Sequence, residues 1–177
     1  MRYEVIEKEK KYLVGLEYYG SIFGEKDPIE KRIEDLWGRF SEFCKNKWEK
    51  IEEDIVNPEL SYEVQIWEKE QLEEEGNMYV FVGMESEELQ NFPIELSGKI
   101  LPADKYANFT LEGKEIQTWE EDILQDWFPQ SDYWMKSFDR YQFHVQCFHE
   151  ERYKGVENIE DSELEVLIPV EEIDKEI

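Results

Sequence analysis

Three polar side chains alternate with apolar ones in residues 141–147, and their types and spacing suit recognition chemistry. Gln142, His144 and Gln146 occupy every second position, so a strand would carry all three on one face. Two amides and an imidazole can both donate and accept hydrogen bonds. This face therefore either lines a ligand cleft or is an ordinary solvated strand surface. The opposite face, which we expect to pack against helices, comprises Tyr141, Phe143, Val145 and Cys147.

The two histidines of the chain do not form a metal site. His144 and His149 lie five residues apart and would project from opposite faces of a strand. The sequence contains no glycine-rich phosphate loop, nucleophile elbow or metal-ligand spacing. His144 as a general base has no nucleophile or acid tied to it by sequence. The sequence thus predicts no catalytic residue, no metal and no cofactor, and favours a binding protein over an enzyme.

Aromatic residues, 15 % of the chain, are the other candidates for a site. Aromatic walls recognise flat or cationic ligands by stacking and cation–π contact. The alternative for each is ordinary packing, which is the simpler interpretation of Trp37 and Trp127 on predicted helices. The candidates for lining a cleft are Tyr18, Trp67, Trp119 and Tyr133.

Acidic residues far outnumber basic ones, 45 to 20, for a net charge of −25. Such a surface repels nucleic-acid phosphates and anionic membranes, so neither is an expected partner. The acidity either keeps an aromatic-rich domain soluble or attracts a basic protein or a cationic ligand.

The expected compartment is the cytoplasm. Cys44 and Cys147 are too few for a disulfide scaffold and are interpreted as reduced, buried residues. Residues 1–11 are charged and lack a signal segment, and no apolar run approaches transmembrane length.

The elements that would hold the candidate residues follow a β-α-β-β pattern twice. Periodicity predicts helices over residues 29–51 and 119–128, with capping boxes that start at Asp27 and Thr118. Residues 68–77 are expected to form a charged turn. The predicted strands cover residues 12–19, 62–67, 78–84, 100–110, 141–147 and 164–170.

The two halves also match residue by residue, which is typical of a duplication. Ile29, Ile33 and Trp37 correspond to Trp119, Ile123 and Trp127 at an offset of 90. One such unit buries only one face of a short sheet and is marginal alone. We therefore expect one α+β domain over residues 1–177, with pseudo-repeats of about 1–92 and 93–177. The units would form one antiparallel sheet, with both helices on one face and a ligand cleft between the halves.

Four segments resemble GyrI-like domains, the effector-binding modules of AraC-type and MerR-type regulators. The most specific is 118–133, where Trp119, Trp127, Pro129 and Tyr133 follow that family's spacing. The others are 79–84, 101–109 with its Leu-Pro-Ala opening, and 164–170 with its Ile-Pro-Val close.

The resemblance implies a tandem fold with a ligand cleft that senses hydrophobic, often cationic, molecules. Family sites usually carry a buried glutamate on the strand after the Trp-Leu-Pro segment. Aligning residues 139–144 with that motif puts Gln142 in the glutamate's position and His144 in that of a tyrosine. We therefore expect a neutral site that favours polar uncharged ligands.

Three functions remain open on the sequence alone. The first is a stand-alone small-molecule-binding domain, a sensor or sequestering protein associated with transcriptional regulation, whose ligand is aromatic or hydrophobic. The second is an acidic protein-interaction or inhibitor role, as in a gyrase-inhibiting relative. The third is hydrolysis of a reactive small molecule in the same cleft.

Overall fold

A computed structural model describes residues 1–23 and 28–173 of the chain. Strands and helices appear where the sequence periodicity is strong. The described residues form nine strands in one antiparallel sheet. The strands are β1 (Arg2–Lys8), β2 (Lys11–Ser21), β3 (Leu60–Glu68), β4 (Asn77–Ser86), β5 (Ser97–Leu101), β6 (Asp104–Glu112), β7 (Tyr133–Met135), β8 (Tyr141–His149) and β9 (Glu163–Glu172).

Four α-helices accompany the sheet within the described residues. A 3₁₀ turn, Trp48–Lys50, extends α1, and a π-helical stretch, Asp122–Trp127, joins α3 to α4. A second 3₁₀ segment, Val156–Asp161, precedes β9. The helices are α1 (Ile29–Lys47), α2 (Lys69–Glu75), α3 (Glu115–Glu121) and α4 (Phe128–Gln130). No helix in this described part of the chain is long and apolar enough to cross a membrane.

The strand order relates the two halves to each other. It runs β1-β6-β9-β8-β3-β4-β2-β5, with β7 paired to β9. The first half contributes β2-β4-β3 and the second contributes β6-β9-β8, and the halves join through antiparallel β3 and β8. The strand that precedes each unit, β1 or β5, pairs with the opposite unit. The α+β prediction of two β-α-β-β units in one antiparallel sheet is confirmed.

Both predicted helices cover the same face of the sheet. Leu36 and Phe40 of α1 pack on Val80 and Val82 of β4. In the second half, residues at four-residue steps along one helical face pack on β6 and β9. These residues are Trp119, Ile123 and Trp127.

The opposite face of the sheet encloses a core of its own. Only residues 102 and 103 separate β5 from β6, although these strands lie near opposite edges of the sheet. The sheet must therefore curl, and Leu13 and Leu101 from one edge meet Tyr106 and Val145 on this face. The face of the central strands that lies away from the helices is thus buried as well.

Several local predictions were wrong. Residues 69–75 of the predicted charged turn form α2, which ends at Gly76 with φ of 69°. The predicted strand 100–110 is two strands, because Pro102 has no N–H for a ladder and the chain turns there. Strands β1 and β7 were not predicted, since β1 carries mostly charged residues and β7 has three residues.

The two predicted capping boxes have different outcomes. Thr118 lies inside α3, which begins at Glu115, and its hydroxyl donates to Asp122 at 2.7 Å. Asp27 lies outside the described residues, and Pro28 directly precedes α1.

Candidate ligand-binding cleft

A cleft lies between the helices because the centre of the sheet has no helix directly above it. Helix α1 packs on β2 and β4, whereas α3 and the π-helical stretch after it pack on β6 and β9. The two strands between these sets, β3 and β8, pair along nine positions. Their helix-side face therefore forms the floor of a groove whose walls are α1 and α3.

The polar face of β8 is directed toward the helices, contrary to the expectation from the sequence. Gln146 lies opposite Val166, which packs in the core beneath α3, and residues opposite each other share a face of the sheet. The apolar face of β8, with Phe143 and Val145, fills the core on the other side. The expectation assumed a sheet with one solvated face. In the structure the sheet curls, so the face of β8 that lies away from the helices is buried too.

The cavity in this groove has a volume of about 730 Å³. This volume lies in the range of sites for drug-sized ligands, roughly 300–1,000 Å³. The segment after β8 also lines the cavity, through Tyr153, Val156 and Ile159. Its apolar walls include Ile33, Trp37, Met84, Ile116, Phe148 and Leu164, and its carboxylates are Glu30, Glu34, Glu59, Glu63 and Glu150.

Three aromatic rings form a continuous wall of the cavity. Trp37 and Phe148 meet edge to face with ring centroids 5.3 Å apart. Phe148 and Tyr153 meet in the same way at 4.8 Å. This geometry is a favoured arrangement of aromatic pairs, so the rings hold one another in place.

Glu63 is the buried charge-bearing residue of the cavity floor. It is 5 % exposed and lies on β3, directly opposite Gln146. The Trp37 indole donates to its Oε2 at 2.7 Å, and the Gln65 amide donates to its Oε1 at 2.8 Å. The Gln146 amide donates to the same Oε1 at 3.3 Å. Three donors that converge on one carboxyl hold it in a single orientation.

Burial raises the pKa of Glu63, because the charged form loses its hydration in this site. The Trp37 and Gln65 hydrogen bonds act in the opposite direction and lower this pKa, while the charge of Glu120 raises it. Ionisation of this carboxyl therefore costs more than that of an exposed glutamate, and a positive charge beside it would offset that cost.

The structure brings four of the seven candidate residues to the cleft floor or its margin. Gln146 lines the cavity. His144, one strand pleat away, is 5 % exposed and lies between two indoles. Its ring centroid is 5.6 Å from that of Trp67 and 4.9 Å from that of Trp119.

The other three candidates lie outside the cavity lining. Tyr18 packs beneath α1. Tyr133 stacks parallel to Trp127 at a centroid distance of 6.3 Å. Gln142 lies on the helix side of β8, and its amide donates to the Met135 carbonyl at 3.3 Å. A ligand role for these residues remains a prediction.

Sequence reasoning missed Glu63 and assigned Trp37 to ordinary packing. A signal was present, because Glu63, Gln65 and Trp67 alternate on β3 as the polar residues do on β8. Two neighbouring strands with polar helix-side faces indicate a polar floor. The expectation of a neutral site fails for the cavity, because its carboxyl comes from β3 and not from the position of Gln142.

The described residues contain no group of three or more histidine, cysteine, aspartate or glutamate side chains placed to hold a metal ion. Cys44 and Cys147 are both free thiols. Burial raises the pKa of Cys147 to about 12, which leaves it protonated at neutral pH.

A model of the family described as "Cass2: Integron-associated effector binding protein" matches residues 4–170. No protein among those with curated descriptions matches the chain.

Solved structures share the fold at low sequence identity. SAV2435, in a structure bound to tetraphenylphosphonium, is 16 % identical with a TM-score of 0.68, and the match covers 97 % of this chain and 94 % of that one. The integron cassette protein VCH_CASS2 of Vibrio cholerae is 16 % identical with a TM-score of 0.54, over 96 % and 95 % of the two chains. The EcmrR C-terminal domain is 12 % identical with a TM-score of 0.60, over 97 % and 98 %.

Proposed function

The chain belongs to the integron-associated effector binding protein family, and from that premise we propose that it binds a hydrophobic aromatic cation in the cleft between α1 and α3. Glu63 would be the counter-ion, and the aromatic wall would hold the apolar body of the ligand. Occupancy of the cleft would make the chain a sensor of such compounds or a protein that sequesters them.

The observation that carries this proposal is the buried carboxyl of Glu63 on the floor of an otherwise largely apolar cavity. A carboxyl that is 5 % exposed ionises at a cost, and the hydrogen bonds from Trp37 and Gln65 offset only part of that cost. A cation in the cavity supplies the missing charge and gains from the low local dielectric. A neutral apolar ligand gains only from the walls.

The walls favour a ligand with flat rings around its charge. Trp37, Phe148 and Tyr153 all line the cavity, and aromatic faces attract cations within about 6 Å of their centroids. The neighbour SAV2435 was solved with tetraphenylphosphonium, a cation surrounded by four phenyl rings. That compound fits the chemistry of this cavity and is a suitable probe.

The remaining charge around the cleft acts at longer range. Glu30, Glu34, Glu59 and Glu150 also line the cavity. A rim of one sign raises the local concentration of ligands of the opposite sign. We therefore expect the association rate to fall with added salt more steeply than the dissociation rate changes.

The test compares tetraphenylphosphonium with neutral triphenylphosphine oxide by isothermal titration calorimetry at neutral pH. We expect wild-type protein to bind the cation, and Glu63→Gln to weaken that binding by about 100-fold while it leaves the neutral compound unaffected. Glu68→Gln is the matched control, because Glu68 is also on β3 and is 6 % exposed but pairs with Arg140 at 3.2 Å on the other face of the sheet. Equal affinity for both compounds, or equal losses in both variants, would remove Glu63 from the mechanism.

A further inference from the structure

We propose that the cleft continues past Glu63 into a second subsite at His144, which takes a hydrogen-bonding substituent carried by the ligand. This inference rests on the proposed function and narrows its ligand class. The preferred compound is an aromatic cation with an amine or hydroxyl group on a ring remote from the charge.

The first observation is an unpartnered polar atom. His144 is 5 % exposed, and its Nε2 has no hydrogen-bond partner among the described residues. Buried ring nitrogens are normally paired, because an unpaired one has lost its hydration without replacement. Burial lowers the pKa of His144 to about 3, so the ring is neutral and its Nε2 serves a neutral polar group and not an anion.

The second observation is that His144 continues the polar floor of the cavity. Gln146 and His144 are successive helix-side residues of β8, which places them about 7 Å apart. Across the strand pair, His144 lies opposite Gln65, whose amide already donates to Glu63. A ligand whose charge lies at Glu63 therefore has the imidazole within reach of a ring substituent.

The third observation is that two indole rings contact the imidazole of His144. Trp119 is one helical turn beyond Ile116, a residue of the cavity wall, and its ring meets His144 edge to face. Trp67 covers the other side of the imidazole and is half-buried. Access of a ligand to His144 therefore requires movement of a side chain and not of the sheet.

The test uses three probes of matched shape. Tetraphenylphosphonium, its para-methyl derivative and its para-amino derivative share the cation, and the last two share a similar size, but only the amine can bond to Nε2. We expect wild-type protein to bind the amino compound about fivefold more tightly than the methyl compound, which corresponds to one neutral hydrogen bond. His144→Phe keeps an aromatic ring between the indoles and should abolish this preference.

The outcomes distinguish a failure of this inference from a failure of the proposed function. If all three compounds bind wild-type protein without a preference for the amine, or if the preference survives in His144→Phe, the subsite is refuted and the proposed function stands. If none of the three compounds binds, the proposed function fails and the subsite fails with it. The three compounds can refute the subsite in wild-type protein alone, so the test does not depend on how well the variant folds.

Discussion

Acid should weaken cation binding through one residue, Glu63. Its pKa is raised in the empty cleft because burial disfavours the charged carboxyl. A cation about 5 Å from the carboxyl, at an effective dielectric constant of about 20, attracts the ionised form by roughly 3 kcal/mol. The bound cation therefore lowers the pKa of Glu63, and an attraction of this size corresponds to an affinity gain of about 100-fold.

The sign follows from linkage. Between the lower pKa of the occupied cleft and the raised pKa of the empty cleft, each bound cation displaces close to one proton from Glu63. Apparent affinity therefore rises about tenfold per pH unit in that window and becomes constant above the raised pKa. The total gain from the acid limit is about 100-fold.

Calorimetry in two buffers of different ionisation enthalpy measures the released proton directly. We expect release approaching one proton per cation between the pKa values of the occupied and the empty cleft, and none above the raised pKa of the empty cleft. Glu63→Gln should show a flat profile close to the acid limit of wild-type affinity, and Glu68→Gln should keep the wild-type profile. The comparison with Glu63→Gln is needed because other ionisable side chains lie at or near the cleft, namely Glu30, Glu34, Glu59, Glu120, His149, Glu150 and Tyr153.

Two results would refute this reasoning. The first is an affinity that does not change across the window in wild-type protein, because a protonated Glu63 would then bind the cation as well as a charged one. The second is a pH dependence that persists unchanged in Glu63→Gln, which would assign the titration to the carboxylates of the rim.

Three further predictions concern stability, each measured as the free energy of unfolding in denaturant. The first is the stability of wild-type protein relative to Glu63→Gln. This difference should fall as pH rises from the usual glutamate pKa of about 4.3 through the raised folded-state pKa, because a group with a raised pKa stabilises the native state only while it is protonated. A difference that grows with pH would contradict the burial argument. Gly15→Ala should lower the free energy of unfolding by about 1–3 kcal/mol, since a Cβ there would lie 2.6 Å from the Gly83 Cα and meet the Val82 carbonyl. Gly38→Ala, on the open face of α1, should raise it by about 0.5–1 kcal/mol. Equal effects of the two alanines would refute the close-approach explanation. Ile123→Ala should lower the free energy of unfolding by about 2–5 kcal/mol, because Ile123 is fully buried between the π-helical stretch and the sheet; a loss below about 1 kcal/mol would mean that this core is loosely packed.

Much of the fold could be predicted because it depends on local periodicity. The strand over 141–147 and the helix over 29–51 alternate with clear periods of 2 and 3.6, and both appear close to the expected bounds. Helix α2 was missed because its residues are mostly charged and show no apolar period. Strand β1 was missed for a similar reason, since pairing with β6 holds it in the sheet and not burial of its own side chains.

The site was predicted less completely than the fold. The alternation of Gln142, His144 and Gln146 was recognised, but the carboxyl that gives the cavity its chemistry comes from a strand 83 positions away from Gln146. That contact exists only because β3 and β8 are neighbours at the centre of the sheet.

The sequence by itself determined the α+β class, the two β-α-β-β units, the acidic surface and the alternating polar faces of the central strands, because each of these depends on neighbours within a few residues. The tertiary structure decided which way those faces point and which residues meet. When the sheet curls, its apolar face closes on itself, so the polar faces of β3 and β8 turn toward the gap between the helices. Strand order and curvature arise from contacts between distant segments, and no local pattern in the chain records them.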